Sequence, residues 1–325
     1  MFLVVFQTYF VKLYKTEVEN SLQQSCAQAG NTLDWQFQQL ENIAAQVRLS
    51  DQFRAAYAED PVHQVEMHRQ LHMLQSSNQF LFDINFYQKN IPVVISSRCV
   101  MQKNTIGRIH FSYPQWPLDQ MLEDLNQLSA AQCRTFEPMR SLNRSDLEIM
   151  TINIPLSVPE EYNARVLQFQ IEKGDFEEAI GLTGQEGSIF VIVNRKGELV
   201  YAPDGLTDAC AELARSVSFT GTESTGGDGF LAIGQPSQVQ GWYYVTLLPV
   251  REAMAKSNWL RLFCFAYAGV LLVLSLLVIF WISRRNYRPI QRLNELANRP
   301  PRDGDDEIQQ AQLAILYLHE LGYDM

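Results

Sequence analysis

The stretch Leu262–Ile282, LFCFAYAGVLLVLSLLVIFWI, contains no charged residue and determines how the rest of the chain is organised. A helix rises about 1.5 Å per residue, so a run of this length covers roughly the 30 Å hydrocarbon thickness of a bilayer. A buried core helix is the alternative, but such helices usually keep a polar stripe. The sequence therefore predicts a transmembrane helix over residues 259–283.

Basic residues on either side of this stretch predict its orientation. Four arginines follow it closely and three basic residues precede it: Arg284, Arg285, Arg288 and Arg292, and then Arg251, Lys256 and Arg261. Flanking Lys and Arg are normally retained in the cytoplasm. We therefore expect a cell-membrane protein whose tail, residues 284–325, is cytoplasmic and whose larger N-terminal part is extracytoplasmic.

The N-terminus contains a second, shorter apolar run. Met1–Val11 (MFLVVFQTYFV) is ended by Lys12 and Lys15, at a length that covers only about half a bilayer. A signal peptide would need a basic start and a small-residue cleavage site, and neither is present. The sequence predicts a truncated first transmembrane helix over residues 1–15, with a peripheral helix as the alternative.

Composition indicates a folded domain between the two apolar segments, over residues 16–257. The formal net charge of −10 argues against nucleic-acid binding by this chain. The five cysteines are widely spaced, without CxxC or zinc-ligand spacing. A Cys99–Cys133 disulfide and isolated buried thiols both remain open, and the sequence predicts no cofactor and no metal site.

Hydrophobic periodicity predicts long helices followed by antiparallel strands. Apolar residues repeat at three- and four-residue steps along the first fifty positions: Val18, Leu22, Cys26, Ala29, Leu33, Phe37, Leu40, Ala44 and Val47. Helices are also predicted over Val62–Ser76 and Gly174–Thr183. Strands are predicted over Phe80–Tyr87, Ile91–Ser96, Leu147–Pro155, Ala164–Ile171, Ser188–Asn194, Glu198–Ala202, Gly229–Gln235 and Gly241–Leu248. Strands grouped beside helices, without strand–helix alternation, are typical of the α+β class.

Several strings in this pattern resemble the double Cache sensor family. They are Asp83–Tyr87 (DINFY), Val94–Ser97 (VISS), Gly187–Val193 (GSIFVIV) with Arg195-Lys196-Gly197, and Gly241–Pro249 (GWYYVTLLP). The resemblance covers roughly residues 16–256. More narrowly, it is to the input halves of membrane-bound AraC-type transcriptional regulators and sensor kinases of Gram-positive bacteria.

The resemblance implies a long helix that carries two PAS-like modules, a distal one at about 62–172 and a proximal one at about 173–250. It also implies that the distal module binds a small extracellular ligand. Tyr87, Arg98, Tyr113 and Trp116 are the candidate ligand-binding residues, because they supply an anion partner and aromatic walls. A purely packing role for Tyr113 and Trp116 is the alternative, and the spacing does not favour an amino-acid ligand.

The tail resembles a HAMP linker, the helical relay of many receptors. Arg288-Pro289-Ile290 resembles its opening, and Asp306-Glu307-Ile308 resembles the start of its second helix. Only nine residues separate Ala297 from Glu307, which favours a simple juxtamembrane linker. The proposed signal-relay positions are Pro289, Glu307, Ile308, Ala311, Ile315 and Leu318, the last four at spacing suited to a parallel coiled coil in a homodimer.

No constellation in the sequence indicates catalysis. His63, His68 and His72 share a helical stretch without a HExxH signature, so we expect solvated side chains rather than metal ligands. His319 lacks the sequence that follows a phospho-accepting histidine, and no GxSxG motif is present. The predicted function is therefore a non-enzymatic membrane-anchored ligand sensor. A structural or partner-binding module is the alternative, and a membrane-anchored enzyme is disfavoured.

Overall fold

A computed structural model of the chain describes residues 2–141, 144–159, 161–181, 187–220, 224–225, 229–249, 262–263, 265–284, 312–313 and 315–316. The chain divides into two units, Met1–Ala255 and Lys256–Met325. The first unit begins with α1, Phe2–Leu49, a helix of 48 residues, which includes the residues predicted as a truncated span. Its predicted apolar stripe is confirmed, because every member from Leu22 to Val47 is buried.

Two short 3-10 turns, Asp51–Phe53 and Ala55–Tyr57, lead from α1 into α2, Pro61–Ser76. The start of α2 follows from its sequence. Asp60 caps the helix by accepting a hydrogen bond from the backbone N–H of Val62 at 3.1 Å, and proline at the first helical position needs no N–H partner.

The larger sheet has seven antiparallel strands in the order β3-β2-β1-β7-β6-β5-β4. They are β1 Asp83–Gln88, β2 Val93–Ser96, β3 Val100–Gln102, β4 Phe111–Ser112, β5 Gln132–Ser141, β6 Arg144–Pro155 and β7 Arg165–Glu172. Between β3 and β5 the chain also forms a 3-10 turn, Lys103–Thr105, a π-helical turn, Ile106–His110, and helix α3, Leu118–Gln127.

Helix α4, Lys173–Gly181, connects the larger sheet to a five-stranded antiparallel sheet of order β10-β11-β12-β8-β9. Its elements are β8 Ile189–Asn194, β9 Leu199–Tyr201, α5 Asp208–Thr220, β10 Ser224–Thr225, β11 Phe230–Pro236 and β12 Trp242–Pro249. The predicted hairpin turn is present between β8 and β9, where Gly197 has φ 81°. Glycine tolerates this left-handed conformation because it has no Cβ.

Helix α1 is joined to the smaller sheet by close packing and by one buried carboxylate. The side chain of Asp34 accepts hydrogen bonds from the hydroxyl of Tyr244 at 2.6 Å and from the backbone N–H of Gln238 at 2.8 Å. Phe37 packs edge-on against Trp242, with ring centroids 5.0 Å apart. Gly30 lies directly against the ring of Tyr244. These contacts fix α1 to β12, the strand that precedes the predicted span in sequence.

The second unit contains α6, Phe265–Arg284, the one described helix long and apolar enough to cross a membrane. The most apolar stretch of α6 has a mean hydropathy of 2.6, and none of its side chains is buried within the structure. Ile315 is described and exposed. Pro289, Glu307, Ile308, Ala311 and Leu318 lie outside the described residues, so the relay through them stays a prediction.

The α+β class, the long first helix and the antiparallel sheets are confirmed. Three larger elements were not anticipated from the sequence, namely α3, β5 and α5. Strand β5 is difficult to recognise because it contains Glu137 and Pro138 and its pairing with β6 shifts register twice. Cys99 and Cys133 are both free thiols, so the structure contains no disulfide between them.

Candidate functional site

Both faces of the larger sheet are buried, and they differ in chemistry. Side chains that alternate along β1 and β7, such as Ile84, Phe86, Leu167 and Phe169, join the apolar core beneath α1 and α2. The positions between them point to the opposite face, because successive side chains of a strand alternate. That opposite face carries a layer of polar side chains, which we call the polar layer: Asp83 and Asn85 from β1, Gln168 and Gln170 from β7, and Thr151 and Asn153 from β6.

The register of the sheet arranges the polar layer in two cross-strand rows. Asn85 pairs with Gln168, which pairs with Asn153, while Asp83 pairs with Gln170, which pairs with Thr151. All six residues are at most 4% exposed. Burying polar groups is unfavourable unless they find partners, so their hydrogen bonds determine what the layer can do.

The first row is a chain of three amides with one unused atom at each end. The amide of Asn85 donates to Gln168 Oε1 at 3.1 Å, and Gln168 Nε2 donates to Asn153 Oδ1 at 3.1 Å. Asn85 Oδ1 and Asn153 Nδ2 are buried without a hydrogen-bond partner. Leaving such an atom unsatisfied costs about 1–3 kcal/mol. The row therefore presents one acceptor and one donor that a bound polar molecule can use.

The second row centres on the phenol of Tyr113. Its hydroxyl accepts a hydrogen bond from Gln170 Nε2 at 2.9 Å and lies 3.2 Å from Thr151 Oγ1. Burial raises the pKa of Tyr113, so the phenol stays neutral at physiological pH. Tyr113 thus connects β7 and β6 to the segment that covers the polar layer.

Asp83 is the one carboxyl group of the polar layer. The hydroxyl of Ser96 donates to both of its oxygens, at 2.7 and 2.8 Å, and the hydroxyl of Ser97 donates to Oδ1. Burial raises the pKa of Asp83, against the lowering effect of these donors and of the nearby Arg98 charge. The dominant cause is desolvation, which disfavours the ionised form.

Three of the four predicted ligand residues come together above the polar layer. Tyr87, Tyr113 and Trp116 belong to one buried cluster with Ile106, Met121 and other apolar residues. The rings of Tyr113 and Trp116 are 5.9 Å apart. Trp116 Nε1 donates to Asp124 at 2.7 Å, and the Tyr87 hydroxyl donates to Asn126 at 2.7 Å. Asp124 and Asn126 both lie on α3, so these two hydrogen bonds hold α3 over the polar layer.

Two cations border this cluster. Lys103 Nζ lies 4.1 Å from the centre of the Tyr87 ring, and desolvation lowers the pKa of Lys103 to about 8. The guanidinium of Arg134 lies 4.2 Å above the Trp116 ring and is paired with Glu137 at 2.7 Å. Desolvation raises the pKa of Tyr87 to about 12.

Arg98, the fourth predicted residue, lies apart from the other three. Its side chain is exposed, stacks 3.8 Å from the centre of the Phe82 ring and donates to the carbonyl of Phe82 at 3.0 Å. It acts on the polar layer through its charge near Asp83. The sequence did not predict the amide row, although the alternating amides of Gln168-Phe169-Gln170 lie inside a predicted strand.

The corresponding face of the smaller sheet is filled by apolar side chains. The described cluster between that sheet and α5 contains Val191, Val193, Ala214, Val217, Ala232, Val245, Leu247 and Cys210. Among the described residues of the smaller sheet's strands, Thr246 is the one buried polar side chain, and its alternation with Val245 and Leu247 directs it to the other face of the sheet. The larger sheet therefore offers the better-developed site for a polar molecule.

A separate surface cleft of about 790 Å³ lies between the 3-10 turns and α2. Tyr57 stacks on His63 at one wall, with centroids 4.6 Å apart and planes within 7°. Val62 and Val65 also line the cleft and are 76% and 63% exposed. The cleft is shallow and is bordered by carboxylates, which distinguishes it from the buried polar layer.

Comparison with solved structures identifies the fold. The extracellular domain of soHK1S-Z6, a protein named as a candidate histidine kinase, aligns with a TM-score of 0.50 and 14% identity, over 76% of this chain and 99% of that one. The extracellular domain of vpHK1S-Z8, named in the same way, aligns at 0.49 and 11%, over 75% and 96%. A domain of a candidate sensory box/GGDEF family protein from Vibrio parahaemolyticus aligns at 0.49 and 12%, over 73% and 98%.

No protein-family model and no curated protein sequence matches the chain. At 14% identity the likeness to soHK1S-Z6 shows the fold alone. That fold is Cache-like, as the sequence predicted.

Proposed function

We propose that the chain is a membrane-anchored sensor which binds a small polar molecule at the polar layer and passes a conformational signal across the membrane. The observation that carries the proposal is the pair of buried, unpartnered atoms, Asn85 Oδ1 and Asn153 Nδ2, on one face of the larger sheet. The Cache-type fold supports the same role, because soHK1S-Z6 is described as an extracellular domain of a kinase.

The chemistry of the polar layer favours an uncharged or weakly charged ligand with both donors and acceptors. Five of its six side chains are amides or an alcohol, and its one carboxyl group, Asp83, is already bound by two serine hydroxyls. Aromatic rings such as Tyr113 and Trp116 supply an apolar wall. Small-molecule sites typically combine such walls with a few convergent polar groups.

The signal would leave the sensor through β12, which is fixed to α1 by Asp34 and continues in sequence toward α6. A ligand shifts a conformational equilibrium only by its differential affinity for the two states. In the proposal α6 spans the membrane and the tail is cytoplasmic, where Ile308, Ala311, Ile315 and Leu318 pair in a homodimer. The proposal assigns no catalysis to the chain and connects it to a kinase or transcription regulator as output.

A thermal-shift screen of the detergent-solubilised chain against metabolite mixtures tests ligand binding. A ligand that binds only the native state raises the unfolding temperature. We expect a stabilising metabolite whose effect is lost in Asn85→Ala and Asn153→Ala and retained in the matched surface variant Asn31→Ala. If no metabolite stabilises the chain and a protein partner is captured instead, the partner-binding alternative replaces the sensor.

Cysteine labelling in intact cells tests the proposed orientation. In a background without native cysteines, Ser145→Cys in β6 should react with a membrane-impermeant maleimide, whereas Ser283→Cys at the end of α6 should not. Labelling at position 283 without labelling at position 145 would reverse the orientation and refute this part of the proposal.

A further inference from the structure

Two histidines on α2 lie on the same face of the helix. Both contact the backbone at Ser96 and Ser97, where β2 ends, and we call this segment the corner. His68 and His72 are four residues apart, so their side chains lie one turn apart on the helix. Their ring centroids are 6.3 Å apart, with planes at 28°. His68 Nδ1 lies 2.8 Å from the carbonyl oxygen of Ser96, and His72 Nδ1 lies 3.2 Å from that of Ser97. Both rings therefore contact the backbone through Nδ1, while His72 is exposed and His68 half-buried.

These contacts determine the tautomer of both rings. A carbonyl oxygen only accepts hydrogen bonds, so each Nδ1 must carry a proton and donate it. In a neutral ring the other nitrogen, Nε2, then keeps its lone pair. Across the described residues, no hydrogen bond to Nε2 of His68 or His72 is present. Metal-binding histidines usually show this arrangement, with one ring N–H donated to a carbonyl or carboxylate and the other nitrogen on the metal.

We propose that His68 and His72 form a chelating site for a divalent transition metal of the Zn²⁺, Ni²⁺ or Cu²⁺ class, bound through the two Nε2 atoms. Imidazole nitrogens suit these metals. Coordination at about 2.0–2.1 Å requires the ring centres to approach from 6.3 Å to roughly 5 Å, so each ring moves by about 0.6–0.7 Å. The described residues contain no cluster of three metal-ligating side chains, and water would complete the coordination shell.

The local surroundings leave the two Nε2 atoms available. His72 is exposed and His68 is half-buried. Arg98, which follows Ser97 in the chain, turns its guanidinium onto the Phe82 ring and carbonyl. The serines whose carbonyls hold the histidines also donate their hydroxyls to Asp83. A bound metal would therefore hold α2 against the corner that positions the carboxyl group of the polar layer.

Titration with NiCl₂ tests the site, using the full chain in detergent without a polyhistidine tag. His68→Asn and His72→Asn are suitable variants, because the asparagine amide occupies the place of Nδ1 and still donates to the carbonyl, while the Nε2 ligand is lost. His63→Asn is the matched control, since His63 lies on the same helix but is bound to Asp60.

We expect the wild-type chain to bind one Ni²⁺ that the double variant His68→Asn/His72→Asn does not bind. Each single variant should weaken this binding by roughly 10²-fold, because a chelate gains from the high effective concentration of its second ligand. His63→Asn should bind as the wild type does, and Ni²⁺ should raise the unfolding temperature only when both histidines are present. Equal binding by the wild type and the double variant would overturn the proposal, and so would an equal loss in His63→Asn.

Discussion

Replacement of Gly30 by alanine tests the close contact between α1 and β12. A Cβ at position 30 would lie 2.6 Å from Cδ2 and 3.2 Å from Cε2 of Tyr244, inside the contact distance of about 3.5–4.0 Å between carbon atoms. The ring has little room to yield. It is fully buried, it stacks on Phe190 with centroids 5.9 Å apart, and its hydroxyl is bonded to Asp34 at 2.6 Å.

Two opposing contributions determine how much Gly30→Ala changes the free energy of unfolding. Inserting a methyl group into a packed core costs about 1–3 kcal/mol. Alanine is favoured over glycine inside a helix by up to about 1 kcal/mol. We therefore expect Gly30→Ala to lower the free energy of unfolding by about 1–2 kcal/mol, which corresponds to a fall in Tm of roughly 3–6 °C for a domain of this size.

Gly174→Ala is the matched control, because it lies in helix α4 and a Cβ there meets nothing within 4 Å. It should leave Tm unchanged or raise it slightly through the same helix propensity. Thermal unfolding of the detergent-solubilised chain, followed by tryptophan fluorescence, measures both variants. If Gly30→Ala melts at or above the wild-type temperature, the contact between α1 and β12 is not as tight as the distances indicate.

Three further substitutions test the buried polar groups. Asp34→Asn should lower the free energy of unfolding by roughly 2 kcal/mol in urea denaturation, because the hydroxyl of Tyr244 and its neighbours lose a charged acceptor. Tyr113→Phe should lower the free energy of unfolding by about 1–3 kcal/mol, because the buried amide of Gln170 loses its acceptor. Tyr162 is 78% exposed, so Tyr162→Phe should change the free energy of unfolding little. Equal effects of the two substitutions would contradict this account. Burial raises the pKa of Asp83 above its ordinary 3.8, so the folded state binds the proton more tightly than the unfolded state does. The free energy of unfolding of the wild type should therefore fall, relative to that of Asp83→Asn, as pH rises from 4 through the raised pKa. The opposite trend in pH-dependent unfolding would show that the serine donors outweigh desolvation.

The sequence by itself predicted the elements whose hydrophobic periodicity matches the side that they bury. The apolar stripe of α1, from Leu22 to Val47, repeats with the helical period and is buried throughout. Arg195-Lys196-Gly197 predicted a hairpin because a tight turn needs a residue that tolerates positive φ, and Gly197 adopts it. The uncharged run Leu262–Ile282 predicted a helix of membrane-spanning length from composition alone, and the structure has a helix over Phe265–Arg284.

Only the tertiary structure decided which polar residues form the candidate site. Alternating polar residues in a strand, such as Gln168 and Gln170, normally indicate a solvent-facing side. Here that side is covered by α3 and the segment from β3 to β5, which the pattern of the strands does not encode. Tyr113 reaches Gln170 and Thr151 across large separations in sequence, and Arg98 turns outward although it follows the buried Ser97. Such contacts depend on how distant elements pack, and local periodicity carries no information about that packing.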